Sequence, residues 1–379
     1  MSNSIRPKSW SNLSRRSVLA LGGAAFTSLA MPAIGRAGSP RELTMLTWSG
    51  HAAPDVVGDF EQRHNVKIRA KEYVGGDQML ALISQSPPGT YDVILADAEY
   101  VAQLKEADYI ERLDPRDYPF DDFFPEFQNF RGHWFDSALY AVFLRFGFLG
   151  VSHHLDSVSR RDARSYRILW DGRLKGKVGQ FDWHLPNLGT ISLMNGNPHP
   201  FDLDDSAWRQ VTDALSTLRP QVRAFYDYGG VLAALKGGEA LAVPGIGDWI
   251  TGVLERDGAN VTTTIPEEGG LQWTESLSIG KGSRRQDLAR DFIRYMLSPE
   301  GQIRTATMRA YPAMVPTRAG WAKLNADQPG EAKRQNMLLT GPSALDEIRS
   351  GRIRLRELPV RQALEDWNEA WSRYKSQRV

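Results

Sequence analysis

The chain has 379 residues, 41% hydrophobic and 24% charged, with a net charge of +1 and no cysteine. That length admits two or three domains, and that composition is globular. The missing thiols exclude disulfides, thiolate metal sites and a cysteine nucleophile, and the near-neutral balance is poor ground for a nucleic-acid footprint.

The charge is unevenly spread. The first 37 residues carry Arg6, Lys8, Arg15, Arg16 and Arg36 and no acid, so the single positive charge overall becomes four negative once those five are set aside. Ser14-Arg15-Arg16-Ser17-Val18-Leu19 is a twin-arginine pattern. A mildly apolar Ala/Gly-rich run follows to Ala33, and Gly35-Arg36-Ala37 offers a small-residue cleavage site. This segment reads as a Tat export signal, and the expected location is the periplasm. No later stretch is long and apolar enough to span a bilayer.

Leu43 to Thr47 reads as a buried first strand, ending at Trp48-Ser49-Gly50 and handing over to a helix from Pro54. In open α/β sheets ligands bind at the carboxyl ends of the strands, so Trp48 and Ser49 are expected to line a cleft. Val66 to Tyr73 alternates as a second strand, and Gly75-Gly76 leads into a helix that Asp77 can cap. Tyr91 to Ala96 is a third, apolar strand with Asp97 at its end. Two such units predict a parallel sheet covered by helices. Tyr109 to Phe130, rich in Asp, Pro and Phe, suits a surface connection with short helical turns. The extended run Leu139 to Val151, with Arg145 inside it, is too long for one ordinary buried strand. It predicts a strand leaving one lobe for another.

In the second lobe, Gln180 to His184 ends a strand and carries Asp182. Ser206 to Leu218 is an amphipathic helix with Trp208, Val211, Leu215 and Leu218 on one face. Ala240 to Pro244 is a strand, and Gly245-Ile246-Gly247-Asp248-Trp249 turns off its end. Leu271 to Ile279 alternates strictly and reads as the return crossing; Trp273 and Glu275, two apart, face one way. The expected organisation is lobe one over 41–143, lobe two over 144–274, a return to lobe one over 275–320, and C-terminal helices over 321–379 packed on lobe two.

The order Leu46-Thr47-Trp48-Ser49, Tyr91-Asp92-Val93-Ile94, Gly247-Asp248, Ile265-Pro266-Glu267-Glu268-Gly269-Gly270, Trp273-Thr274-Glu275-Ser276 and Ala310-Tyr311-Pro312 resembles the periplasmic spermidine/putrescine-binding proteins of ABC transporters. The resemblance runs from about Leu43 to the C-terminus. It implies an α/β, two-lobed, type II-like binding-protein fold, with two strand crossings as hinge and the ligand cleft between the lobes. It also implies a non-enzymatic, monomeric receptor without cofactor that delivers a polyamine or related small amine to the permease subunits. By the same likeness Trp48, Ser49, Asp248, Trp273, Glu275 and Tyr311 line the cleft. The chain also departs from the pattern. Gly50 stands where an acid is usual, Asp97 where Ser is usual, Ile246 where an aromatic is usual, and Leu185-Pro186 where an acid is usual, leaving Asp182. Arg145 stands in a stretch usually apolar or small.

A polyamine needs carboxylates at suitable separations with aromatic faces between them, and Asp97, Asp182, Asp248, Glu275, Trp48, Trp273 and Tyr311 meet that need by type. Asp97 and Asp248 also suit helix N-caps. Arg145 either pairs with one of these acids or receives a ligand carboxylate, in which case the ligand is an amino acid or another carboxylate-bearing compound. Other chemistries are weakly supported. His153-His154 lacks metal-ligand spacing, Gly245-Ile246-Gly247 lacks the rest of a phosphate-loop fingerprint, and nothing marks a glycosidase acid–base pair. Tyr226 and Tyr228 resemble the tyrosines of ferric-ion binders only in type.

Overall fold

The computed structural model describes residues 41–377, so the export signal read over 1–37 lies outside the described residues. Ten strands form one mixed sheet: β1 (Arg41–Thr47), β2 (Val66–Glu72), β3 (Val93–Asp97), β4 (Val142–His154), β5 (Val178–Phe181), β6 (Val222–Tyr226), β7 (Ala242–Gly247), β8 (Val261–Thr264), β9 (Gly270–Ile279) and β10 (Ile353–Leu355). Their spatial order is β2-β1-β3-β9-β4-β7-β5-β6, with β8 added to β4 and β10 added to β9.

The sheet is parallel at its two ends and antiparallel through its middle. At one end β1 runs parallel to β2, with Leu43 opposite Ile68, and to β3, with Met45 opposite Val93. At the other end β5 runs parallel to β6 and β7. Helices cover both faces there, which is why β3 is buried throughout and reads as an apolar run rather than an alternating one. The middle belongs to β4 and β9, paired antiparallel with Glu275 opposite Arg145. The last residues of β9 also pair with β3, and the second half of β4 pairs with β7. These two strands therefore serve both lobes, as the excess length of the Leu139–Val151 run predicts. A register shift between Glu275 and Ser276 marks the passage, and such an irregularity bends the strand that carries it.

The core follows this division. One cluster lies on a single face of the lobe-one strands, with Leu43, Val56, Phe60, Leu277, Phe292 and Trp321. A second starts on the other face at Leu46, Met79 and Ile94 and continues into lobe two through Leu188, Val211 and Trp367. A third closes the far face of lobe two around Val231, Val243 and Ile250.

Three expectations are revised by these contacts. The segment 321–379 does not pack on lobe two as a whole. The helices Arg318–Asp327, Pro329–Arg334 and Ala344–Arg349 bury Trp321, Leu324, Ala332 and Leu345 in the lobe-one cluster. Only the last helix, Leu364–Ser376, buries Trp367, Trp371 and Tyr374 with lobe two. The link between them, including β10, is thus a third passage between lobes beyond the two strands expected, within a tail whose sequence reads as mostly helical. Second, the 109–130 connection has the short helical turns expected of it, at Pro115–Asp117, Phe120–Asp122 and Pro125–Gln128, but it does not stay at the surface, because Tyr118, Phe123, Phe127 and Phe130 are buried in lobe one. Third, Asp77 sits in the first turn of its helix and does not cap it; the capping position is Gly75. No helix among the described residues is long and apolar enough to cross a membrane.

Candidate ligand-binding site

The register of the sheet assembles the site. Asp97 on β3 lies opposite Glu275 on β9, and Glu275 lies opposite Arg145 on β4. The row thus carries an acid, an acid and a guanidinium across three adjacent strands where the lobes meet. Trp48 leaves the end of β1 and its ring stands 4.9 Å from Tyr73, at the end of β2, and 6.1 Å from Trp183, just past β5 in lobe two. Tyr311 lies on the other side, with its ring 6.4 Å from Trp249 and 6.3 Å from Tyr228, which stack on each other 6.0 Å apart. Aromatic rings from both lobes therefore flank a central charged row. Tyr228 also donates its hydroxyl hydrogen across the lobes to the Ala310 carbonyl.

Arg145 is wholly buried. Its Nε donates to Glu275 Oε2 at 2.6 Å, and one terminal nitrogen donates to the Thr305 carbonyl at 3.1 Å and the Tyr311 carbonyl at 3.3 Å. The other terminal nitrogen reaches Glu275 Oε1 at 3.3 Å and lies 2.8 Å from His51 Nε2. The guanidinium also lies over the Tyr311 ring, 4.4 Å from its centroid. Of the two alternatives left open for Arg145, internal pairing is the one realised. Burial by itself would raise the Glu275 pKa, but Arg145 and the adjacent His51 outweigh it and hold that carboxyl down at about 2. Burial and Arg145 push His51 the other way, below its ordinary value, so its ring is neutral. The Tyr311 hydroxyl, raised well above 10 by burial, stays protonated and donates to Glu275 at 3.3 Å.

Asp97 is balanced differently. Its side chain makes no helix cap; it lies 3.0 Å from a terminal nitrogen of Arg356, which reaches in from just beyond β10. The Nε of Arg356 donates to Glu99 at 2.5 Å, so two carboxylates share one guanidinium. Burial, with Glu99 and Glu275 adding to it, pushes the Asp97 pKa up to about 8 despite Arg356. The Arg356 guanidinium lies over Trp183, 4.3 Å from the ring centroid.

The remaining expected residues are placed less centrally. Asp248 starts the helix Asp248–Arg256 without capping it and accepts from Arg334; burial raises its pKa. Asp182 does not join the row. It accepts from the Trp371 indole at 2.8 Å and from Lys375 at 2.8 Å, both on the last helix. Ser49 is exposed at the turn after Trp48. Trp273 is buried and lies across β4 at Gly147, where an added Cβ would come within 2.7 Å of the indole; its ring is 5.8 Å from the Arg145 guanidinium. Gly50 has φ +89° and an added Cβ there would come 2.5 Å from the Ala310 Cβ, so the turn has no room for an acid. Each of the four expected acids is thus already paired with a cation of the chain itself. His51, Tyr73, Glu99, Trp183, Trp249 and Arg356 were not singled out from the sequence. Trp183 and Trp249 had a signal, since each directly follows an acid that was.

Residues 55–329 match the bacterial extracellular solute-binding protein family. Over 279 residues, 71% of this chain and 76% of the relative, the sequence is 24% identical to the spermidine/putrescine-binding periplasmic protein of Escherichia coli K12. The fold matches that of a putative spermidine/putrescine ABC transporter from Listeria monocytogenes with a TM-score of 0.75 at 18% identity, covering 89% of this chain and 100% of that one. It also matches the PBP MotA from A. tumefaciens B6 in complex with glucopine, with a TM-score of 0.67 at 17% identity and 88% and 99% of the two chains covered. The type II-like two-lobed architecture expected from the sequence is the architecture of these structures. The protein belongs to the bacterial extracellular solute-binding proteins, the non-enzymatic solute-binding components of ABC transporters.

Proposed function

We propose that this chain is the periplasmic receptor, exported through its twin-arginine signal as a monomer, of an ABC importer for a small organic amine of the putrescine/spermidine kind. The observation that carries the reading is the charge count beside Asp97. Two buried carboxylates, Asp97 and Glu99, face one guanidinium, which lies over the Trp183 ring, and Trp183 in turn stands beside Trp48, which meets Tyr73. A ligand ammonium supplies the missing positive charge and gains from aromatic faces and a charge-assisted hydrogen bond together. Similarity to the spermidine/putrescine-binding protein of Escherichia coli points the same way. The alternative, a carboxylate held by Arg145, loses support because that guanidinium is wholly buried and each of its nitrogens is engaged. On this reading, closure about β4 and β9 buries the amine and presents the closed form to the permease.

A thermal-shift screen tests it. A ligand at 100 times its dissociation constant stabilises the fold by about 2.7 kcal/mol. Amines such as putrescine, agmatine or butylamine are expected to raise the melting temperature. A response confined to carboxylates lacking an amine would replace this reading with the Arg145 one.

A further inference from the structure

Arg356 stands where a ligand's cationic end would stand. Its side chain is 3% exposed, between the carboxylates of Asp97 and Glu99 from lobe one and the indole face of Trp183 from lobe two. Paired carboxylates below and an aromatic face above are the combination that holds an organic cation. Here the chain supplies that cation from its third inter-lobe passage. The arginine is fixed by its backbone, whose N–H donates to the Gln272 carbonyl at 2.9 Å, beside the pairing of β10 with β9. Its fit is incomplete: the nitrogen facing Asp97 sits at ion-pair distance but off the hydrogen-bond direction.

We propose that Arg356 is a specificity-determining residue, a tethered guanidinium that permanently fills one cation seat of the cleft. The inference rests on the amine reading of this site but replaces the di- or triamine of that reading with a ligand bearing one ammonium. With one seat filled from within, the surplus carboxylate, Asp97, takes one ammonium, and the preferred ligand class is a mono-ammonium compound, a zwitterion included, rather than a diamine or triamine. A second ammonium brought to the same end meets the guanidinium as a like charge.

Two measurements test this. In the wild-type protein, butylamine and putrescine share a carbon chain and differ by one ammonium. Butylamine is expected to bind at least as well; putrescine binding more than tenfold tighter would overturn the proposal. In Arg356→Ala the seat is vacated. Methylguanidinium at millimolar concentration is then expected to raise the melting temperature of the variant and not of the wild type, and putrescine is expected to bind the variant at least tenfold tighter than it binds the wild type. A folded variant indifferent to both compounds overturns the proposal. Should the alanine variant fail to fold, Arg356→Met keeps the side chain's length without its charge and takes the same titrations, while the wild-type comparison stands regardless. Failure of the amine reading looks different: the wild type then binds neither butylamine nor putrescine, yet methylguanidinium still rescues the variant.

Discussion

Two buried carboxylates sit opposite each other in the sheet, each beside a guanidinium, and their ionisation is shifted in opposite directions. Glu275 is held at about 2 and Asp97 is pushed up to about 8. Burial is nearly equal, at 3% and 4% exposure, so desolvation does not separate them. The difference lies in the company each keeps. Glu275 has Arg145 along with donors from the Tyr311 hydroxyl and the neighbouring His51. Asp97 must share Arg356 with Glu99 and has Glu275 itself nearby. The first site is a finished ion pair within the sheet; the second sets two carboxylates against one guanidinium. In a protein interior the ratio of charges, more than the presence of a pair, decides whether a carboxylate serves structure or recognition.

The largest effect is expected from breaking the finished pair. Arg145→Met leaves Glu275 buried without its cation, and such a loss costs about 3–5 kcal/mol. Denaturant unfolding checks it, and a loss under about 1 kcal/mol would show that the Arg145–Glu275 pair does not hold this part of the sheet together. Acid should act on the same site. The folded-state pKa of Glu275 lies below its ordinary value, so its contribution to stability is present above about pH 4.5 and disappears as pH falls through about 2.

Asp97 should respond in the opposite sense. Its folded-state pKa is raised, so its contribution to stability is full below about pH 4 and is lost as pH climbs through about 8. An amine binds the ionised form, so calorimetric affinity for butylamine should rise from pH 6 to pH 8 by up to about fiftyfold and level off above that, with proton release on binding at the lower pH. A flat profile would detach Asp97 from the ligand. Asp97→Asn mimics the protonated side chain. It should change stability by less than about 1 kcal/mol and weaken amine binding by about tenfold or more, since a charge-assisted hydrogen bond contributes about 1.5–3 kcal/mol. The smallest effect is expected at the ring: Trp183→Leu removes a cation–π contact of about 0.5–2 kcal/mol, read as a lower melting temperature.

The fold was legible because both of its signals are local. Apolar runs capped by Gly and polar residues mark the parallel strands, and the excess length of the run around Arg145 betrays a strand serving two lobes. Of the residues singled out, the sheet register sets Asp97 opposite Glu275, and Tyr311 donates to Glu275, while Trp48 meets Tyr73 and Trp183 instead. Two things escaped. Side chains next to each other at a strand end point to opposite sides. So Asp182 went to the last helix while Trp183 went to Trp48 and Arg356, and choosing the acid meant missing the ring. The second is the internal cations. Arg334, Arg356 and Lys375 lie far along the chain from Asp248, Asp97 and Asp182, in segments where frequent charge reads as a solvated face. No pattern within one stretch announces a partner that only the folded topology delivers.

The short strand β10 has a further role. β9 is hydrogen-bonded to β3 over Glu275 to Ile279, and beyond that point the same side of the strand is taken up by β10 at Gly270 to Gln272. A chain ending at Ser350 would leave those backbone groups as an open edge, and would also uncover the lobe-two surface that Trp367, Trp371 and Tyr374 protect. Unpaired strand edges beside bare apolar surface recruit other chains. The three residues Ile353–Leu355 thus satisfy the backbone of β9 where β3 no longer reaches it.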